Sequence, residues 1–131
     1  MSGETDLNTL LKNMTPLLNH GDYVFCTITS LTDIDINEIV ASFKETEGIT
    51  IILKKETADK LKLDYIYIAA WITLTVHSSL EATGLTAAFA TALANEGISC
   101  NVVAAYYHDH IFVAKKDAKR AMAALGGLTS I

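Results

Sequence analysis

Short apolar runs rich in β-branched residues alternate along this chain with segments that have helical spacing. Leu85, Ala88, Phe89, Ala92 and Leu93 stand at i, i+3, i+4, i+7 and i+8, which gathers them on one face of a helix. Gly97 follows as the expected stop, because a residue without a Cβ reaches positive φ without a clash. Ala118, Ala121, Met122 and Leu125 predict a last helix over Asp117 to Leu125, ending at Gly126-Gly127. The longest apolar-rich run, Tyr65 to Val76, is β-branched and aromatic and too short to cross a bilayer as a helix. It reads as a strand. The spacing also predicts two strands between Gly97 and Lys115 with a turn at His108-Asp109, a helix around Ile36 to Thr46 stopped by Gly48, and a leading helix over Leu7 to Met14 before Pro16.

These elements fall into two related halves. Phe43 to Thr50 (FKETEGIT) resembles Ala92 to Ser99 (ALANEGIS), and Lys54 to Leu61 (KKETADKL) resembles Lys115 to Met122 (KKDAKRAM). Each half reads strand, helix, glycine stop, strand, helix. The second has room for an additional hairpin arm, whereas Gly48 to Lys54 holds only one strand. The expected division is 1–68 for a shortened first module with its leading helix, and 69–131 for the second. Helices on one face of an antiparallel sheet give an α+β fold of the ferredoxin-like kind. A sheet covered on one face leaves apolar surface or a strand edge to be closed by another copy, so a homodimer is expected.

Composition narrows the function. Half of the chain is hydrophobic and only 19% is charged, which predicts a buried core, not disorder. A net charge of −5 with scattered Lys and Arg argues against nucleic acid and against anionic membranes. Tyr106-Tyr107, with no basic residue interleaved, reads as packing on a strand. The first twenty residues have neither a basic start nor an apolar core. Cys26 and Cys100 stand in apolar strand-like surroundings without CxxC spacing, as buried thiols of a reducing compartment do. The expected location is the cytoplasm.

The candidate chemistry centres on the loop His77 to Gly84. Ser78 and Ser79 supply hydroxyls, Gly84 admits a ligand close to the backbone, and the N–H groups of the following helix attract an anion. Capping explains the same residues: Ser78 and Glu81 have capping-box spacing, and Thr83 can cap a helix that starts at Gly84. The two readings are compatible. His108 and His110 would share a face of a strand, as two metal ligands do, with His77 or Asp109 as a third, but no fourth ligand stands out. A Ser/His/acid hydrolase is disfavoured, because adjacent His77 and Ser78 point to opposite faces of a strand and no GxSxG elbow exists. No enzyme activity and no cofactor are expected.

The order strand, loop ending in Gly84-Leu85, helix, Glu96-Gly97-Ile98, strand, hairpin, strand, helix resembles the ACT domain. ACT domains are ferredoxin-like modules that sense small metabolites, often amino acids. The wording ITLTVHSSLEATGLTAAFATALANEGISCNV and YYHDHIFV is similar to the stand-alone tandem ACT proteins of bacteria, which are related to the ACT pairs of the animal cytosolic arginine sensor and of aspartate kinases. The resemblance is strong from Trp71 to Leu125, and GDYVFCTI with EGITIILKKETADKL resembles the shortened first module. It implies a non-catalytic regulatory domain that holds its ligand, an amino acid, between ACT modules. Carried onto this chain, the ligand positions are Ser78, Ser79, Glu81, Gly84, Leu85, Ile98, Ser99 and Asn101, with Asp109 ahead of the last strand. Where ACT domains of metabolic enzymes have an acidic residue and Pro-Gly, this chain has Glu81-Ala82-Thr83-Gly84. With no enzyme domain attached, the signal is expected to pass to a separate protein. The alternatives are a structural or interaction module without a ligand, and a small metal-binding protein using His108 and His110.

Overall fold

The computed structural model of the chain describes residues 13–75 and 84–128. The strands are β1 (Pro16–Leu18), β2 (Tyr23–Ile28), β3 (Ile39–Lys44), β4 (Ile49–Lys54), β5 (Ile68–Leu74), β6 (Cys100–Ala104) and β7 (Asp109–Ala114). The helices are α1 (Lys55–Lys60), α2 (Leu85–Asn95) and α3 (Ala118–Leu128), with 3-10 turns at Leu31–Asp33, Ile36–Glu38 and Lys115–Asp117. Contacts divide the chain into two compact units: residues 20–69, and residues 70–131 together with the segment up to residue 19.

In the 20–69 unit, alternation with period 2 sets the core. Val24, Cys26 and Ile28 of β2 face the same way as Ile51 and Leu53 of β4 and bury against Ala58 of α1. Strand β2 pairs with β4 from Tyr23↔Lys54 to Ile28↔Ile49, and its other edge takes the first residues of β5, Tyr23↔Ala69 and Val24↔Ile68. Strand β3 lies on the far side of β4, giving the order β3-β4-β2-β5. The helix expected over Ile36 to Thr46 is absent. Ser30 and Asp35 cap two short 3-10 turns, accepting from the N–H groups of Thr32 and Asn37 at 3.2 and 3.0 Å, and the chain from Ile39 onward pairs with β4. A ladder to an existing strand outweighs the weak helical spacing of a stretch that contains Ile39 and Val40. Gly48 is therefore not a helix stop. It sits in the β3–β4 turn, where Glu45 N–H donates to Gly48 O at 3.0 Å, and a Cβ there would lie 2.7 Å from Thr27 Oγ1.

In the other unit β5 is central. Its residues 72–74 pair with β1 (Pro16↔Leu74, Leu17↔Thr73, Leu18↔Ile72), β7 lies along its opposite edge, and β6 pairs with β7 from Cys100↔Val113 to Ala104↔Asp109. Ala70, Ile72 and Leu74 meet Leu85, Phe89 and Leu93 of α2 and Ala118, Ala121 and Leu125 of α3. Both predicted apolar stripes are thus the buried faces. Gly97 ends α2 at φ +72°, with Gly97 N–H donating to Ala94 O at 2.9 Å and Ile98 N–H to Leu93 O at 3.0 Å. Helix α3, by contrast, runs through Gly126-Gly127, where a Cβ would meet nothing within 4 Å. The hairpin turn also falls earlier than expected, at Ala105–His108, closed by Ala105 N–H to His108 O at 3.0 Å. Tyr106 and Tyr107 consequently stand at its tip, 78% and 68% exposed, not packed on a strand.

Each unit completes a strand–connection–strand–strand–helix–strand order, the ferredoxin-like arrangement. In the first, two 3-10 turns replace the first helix. In the second, the closing strand is β1, supplied from the start of the chain, and Met14 is buried in the same core. The rest of the expected leading helix, Leu7 to Lys12, lies outside the described residues. The packing units thus cut the chain at 19/20 and 69/70, whereas sequence order suggested one cut after residue 68.

Two stability experiments follow. Gly97→Ala is expected to lower unfolding free energy by about 1 kcal/mol in urea denaturation, and Gly126→Ala, inside a helix with open space, to leave it unchanged or raise it by up to about 1 kcal/mol. Gly48→Ala is expected to cost about 1–3 kcal/mol through contact with Thr27, and the cost should shrink in a Thr27→Ala background, measured as a double-mutant cycle.

Candidate functional site

The end of the second unit where β5 finishes and α2 begins holds three of the expected site residues, Gly84, Leu85 and Asp109. Gly84 is the residue before α2, in the left-handed region at φ +88°, and as a glycine it has no side chain with which to cap the helix. The first helical bond is Ala88 N–H to Gly84 O at 2.8 Å. The N–H groups of the first turn therefore have no acceptor within the helix and form its positive end. Leu85 is 2% exposed with its side chain in the core, so only its backbone is open to a ligand. His77, Ser78, Ser79, Glu81 and Thr83 lie outside the described residues.

Asp109 reaches the same end. The chain runs along β5, returns along α2 and runs out again along β6, so β7 begins where α2 begins. Alternation places Asp109 with Ile111 and Val113 on the face that carries the helices. Its carboxyl group is buried, and burial pushes its pKa above the ordinary carboxylate range, against the pull of His110 and His108. A buried acidic residue and the start of a helix offer one negative and one positive feature at one end of the sheet.

Ile98, Ser99 and Asn101 are not brought there. They follow the far end of α2, whose 11 residues span roughly 16 Å at about 1.5 Å per residue. Ile98 is a core residue, whereas Ser99 and Asn101 are exposed.

The histidines separate. His108 ends the hairpin turn with Nδ1 buried and without a hydrogen-bond partner among the described residues. His110 points to the opposite sheet face. There its Nδ1 lies 3.0 Å from Trp71 Nε1 and 3.0 Å from Thr73 Oγ1, and Asn19 Nδ2 donates to Thr73 Oγ1 at 2.9 Å. Indole N–H is only a donor, so His110 Nδ1 must be a lone pair and the proton must sit on Nε2. Burial, then the His108 charge, holds the His110 pKa below the ordinary histidine value, with Asp109 opposing. Metal binding at either ring nitrogen would displace Trp71 or move the proton onto the nitrogen that accepts from it. Among the described residues no three His, Cys, Asp or Glu side chains are grouped as metal ligands would be.

Two arrangements escaped the sequence. One is this Asn19–Thr73–His110–Trp71 chain, whose members are 37 to 54 residues apart in its cross-strand bonds. The other is a polar cleft of about 260 Å³ in the 20–69 unit, lined by His20, Gly21, Asp22, Lys54, Lys55, Glu56 and Asp59. Beside it Lys55 pairs with Asp59 at 3.0 Å, Tyr65 OH donates to Asp59 at 2.7 Å, and the ammonium lies 5.9 Å from the Tyr65 ring centre. The i,i+4 spacing of Lys55 and Asp59 was the legible signal for that pair. Cys26 is buried and Cys100 half-buried, and burial raises both thiol pKa values, as expected of unreactive thiols.

Comparison with known proteins agrees with this architecture. Residues 2–70 match one ACT-domain family model and residues 67–126 match another. A protein of unknown function from Vibrio cholerae, suggested to act in transport, is 52% identical over 95% of this chain and 97% of its own, with a TM-score of 0.86. The Agrobacterium tumefaciens protein Atu0741 shares the fold at 15% identity, over 88% of this chain and 89% of its own, with a TM-score of 0.70. The ligand-free regulatory subunit of Thermus thermophilus aspartate kinase shares it at 11% identity, over 89% and 99%, with a TM-score of 0.65. No curated protein matches the sequence. With one ACT match on each half and two ferredoxin-like units behind them, the chain belongs to the ACT-domain family as a tandem pair.

Proposed function

We propose that this chain is a non-catalytic sensor that binds an amino acid at the end of its second unit, where α2 begins. ACT domains are regulatory modules that bind small ligands, and both halves of the chain match them. The observation that carries the site is Asp109, a buried acidic residue at the end of the sheet where α2 starts with its first N–H groups. An α-amino acid has the complementary pair of charges. Its ammonium would relieve the desolvated Asp109 carboxylate, and its carboxylate would accept from the first turn of α2. Gly84 has a second, purely conformational reason to be glycine, its positive φ, so a bulky substitution there would strain the backbone whether or not a ligand binds.

A ligand on Gly84 cannot also reach Ser99 or Asn101 of the same unit across the length of α2. We therefore assign those exposed residues, if they touch a ligand, to a site shared with a second copy. Strand β6 supports self-association: it is a sheet edge, and Val102, Val103, Tyr106 and Tyr107 are exposed along it and its turn. Unreactive free thiols support a reducing, cytoplasmic setting. The regulated partner would be a separate protein. If the start of α2 is only capped, the same surface makes this an interaction module without a ligand.

Thermal shift against the twenty amino acids and common divalent metals is expected to give an amino-acid hit, stabilising by about 2.7 kcal/mol at a hundredfold excess over Kd. In calorimetry Asp109→Asn is expected to weaken that ligand at least tenfold, while the free protein keeps or gains stability because a buried charge is removed. A metal hit alone, or unchanged affinity in Asp109→Asn, would overturn the site. Light scattering at tens of micromolar is expected to show a dimer that Val103→Lys shifts toward monomer. A monomeric parent protein would remove the shared site.

A further inference from the structure

We propose that Asn19, Thr73, His110 and Trp71 form a proton-operated latch: when the His110 imidazole takes up a proton, its ring leaves the donors that hold it and β1 loosens from β5. The directions of the bonds carry this. Asn19 Nδ2 reaches two oxygens, Thr73 Oγ1 at 2.9 Å and Trp71 O at 3.2 Å. Since a carbonyl only accepts, the amide nitrogen is the atom placed there. Thr73 Oγ1 therefore accepts from Asn19 and has its own hydrogen free for His110 Nδ1, 3.0 Å away. Trp71 Nε1–H points to the same lone pair at 3.0 Å. Two hydrogens converge on one acceptor.

A proton on His110 Nδ1 turns this acceptor into a donor. The Thr73 hydroxyl can reverse, but the indole cannot accept, so two N–H groups would face each other at 3.0 Å. Either the imidazole or Trp71 must move. Movement of Trp71 acts directly on the residue after β1, because Asn19 N–H donates to Trp71 O at 2.9 Å. Beyond this bond the strand is held by its ladder to residues 72–74 of β5 and by packing against α3. The strand is three residues long, Leu17 and Leu18 are 52% and 38% exposed, and its other end is tied by Thr75 to the Thr15 carbonyl.

Among the described residues, the neighbouring strands of this unit bring no charged side chain to this face. On this face β5 presents Trp71 and Thr73, β6 presents Asn101 and Val103, and β1 presents Leu17; none of these is charged. On its own strand and turn, His108 opposes protonation of His110 and Asp109 favours it, with burial the largest opposing effect. The folded state thus prefers neutral His110, whereas the unfolded chain protonates near about 6.5. Stability from the latch is fully present above that value and falls as pH drops through it toward the lower folded pKa.

Trp71 is the single tryptophan and reports on the latch. Its emission is expected to titrate with a midpoint below the ordinary histidine value. Amide-exchange protection of Leu17 and Leu18, corrected for intrinsic rates and referred to β7, is expected to fall at least tenfold between about pH 7.5 and pH 5. In His110→Asn the Oδ1 atom accepts both donors without titrating, so β1 should stay protected at both pH values. Trp71→Phe, which removes the opposing N–H, should also abolish the acid response and serves if the asparagine variant folds poorly. Unchanged β1 protection in the parent protein on acidification would overturn the latch, as would an acid loss that persists in either variant.

Discussion

The pairing of β1 with the last residues of β5 is the contact on which the second unit depends. Among the described residues from Ala70 onward the strands are β5, β6 and β7, one fewer than this topology requires. Without β1 the edge of β5 at residues 72–74 would expose unpaired backbone groups next to the apolar core residues Ile72 and Leu74. The start of the chain closes that edge, and Met14 joins the core beneath it. The unit is built from the two extremes of the sequence around one central strand.

That arrangement gives the two faces of the sheet different work. Toward the helices, Ala70, Ile72, Leu74, Ile111 and Val113 pack with α2 and α3, and Asp109 enters the same face where the hydrophobic contacts end. On the other face, Trp71 stacks on Phe112 with ring centres 6.1 Å apart, and hydrogen-bonds His110. One strand, β7, therefore carries a buried carboxylate for one side and an accepting imidazole for the other on successive residues. A two-residue period makes that separation unavoidable. The unexpected feature of His108-Asp109-His110 is how little the three side chains share, although they are adjacent in sequence.

The sequence was read most accurately where short-range forces decide. The buried stripes of α2 and α3 follow from residue spacing, and the αL stop at Gly97 follows from the steric demand of positive φ. The glycine argument failed where a turn or an open helix tolerated the residue for other reasons. Gly48 makes room for Thr27 across a strand pair, and Gly126-Gly127 continue α3 because eight residues of packed helix precede them. Asp109 was singled out by family resemblance and by its place between His108 and His110, whereas its burial is a product of tertiary packing.

The sequence alone, then, determined the composition of the core, the two later helices with the end of α2, and the tandem character of the chain, since these rest on periodicity, local sterics and an internal repeat. Only the tertiary structure decided that residues 39–44 form a strand, because the partner that makes them one is β4; that the hairpin turns at Ala105–His108, because the register with β7 sets where pairing stops; and that β1 closes the second unit. The His110 network belongs to the same class. Its bonds join residues 37 to 54 positions apart, and no spacing along a chain encodes a hydrogen bond between strands that have not yet met.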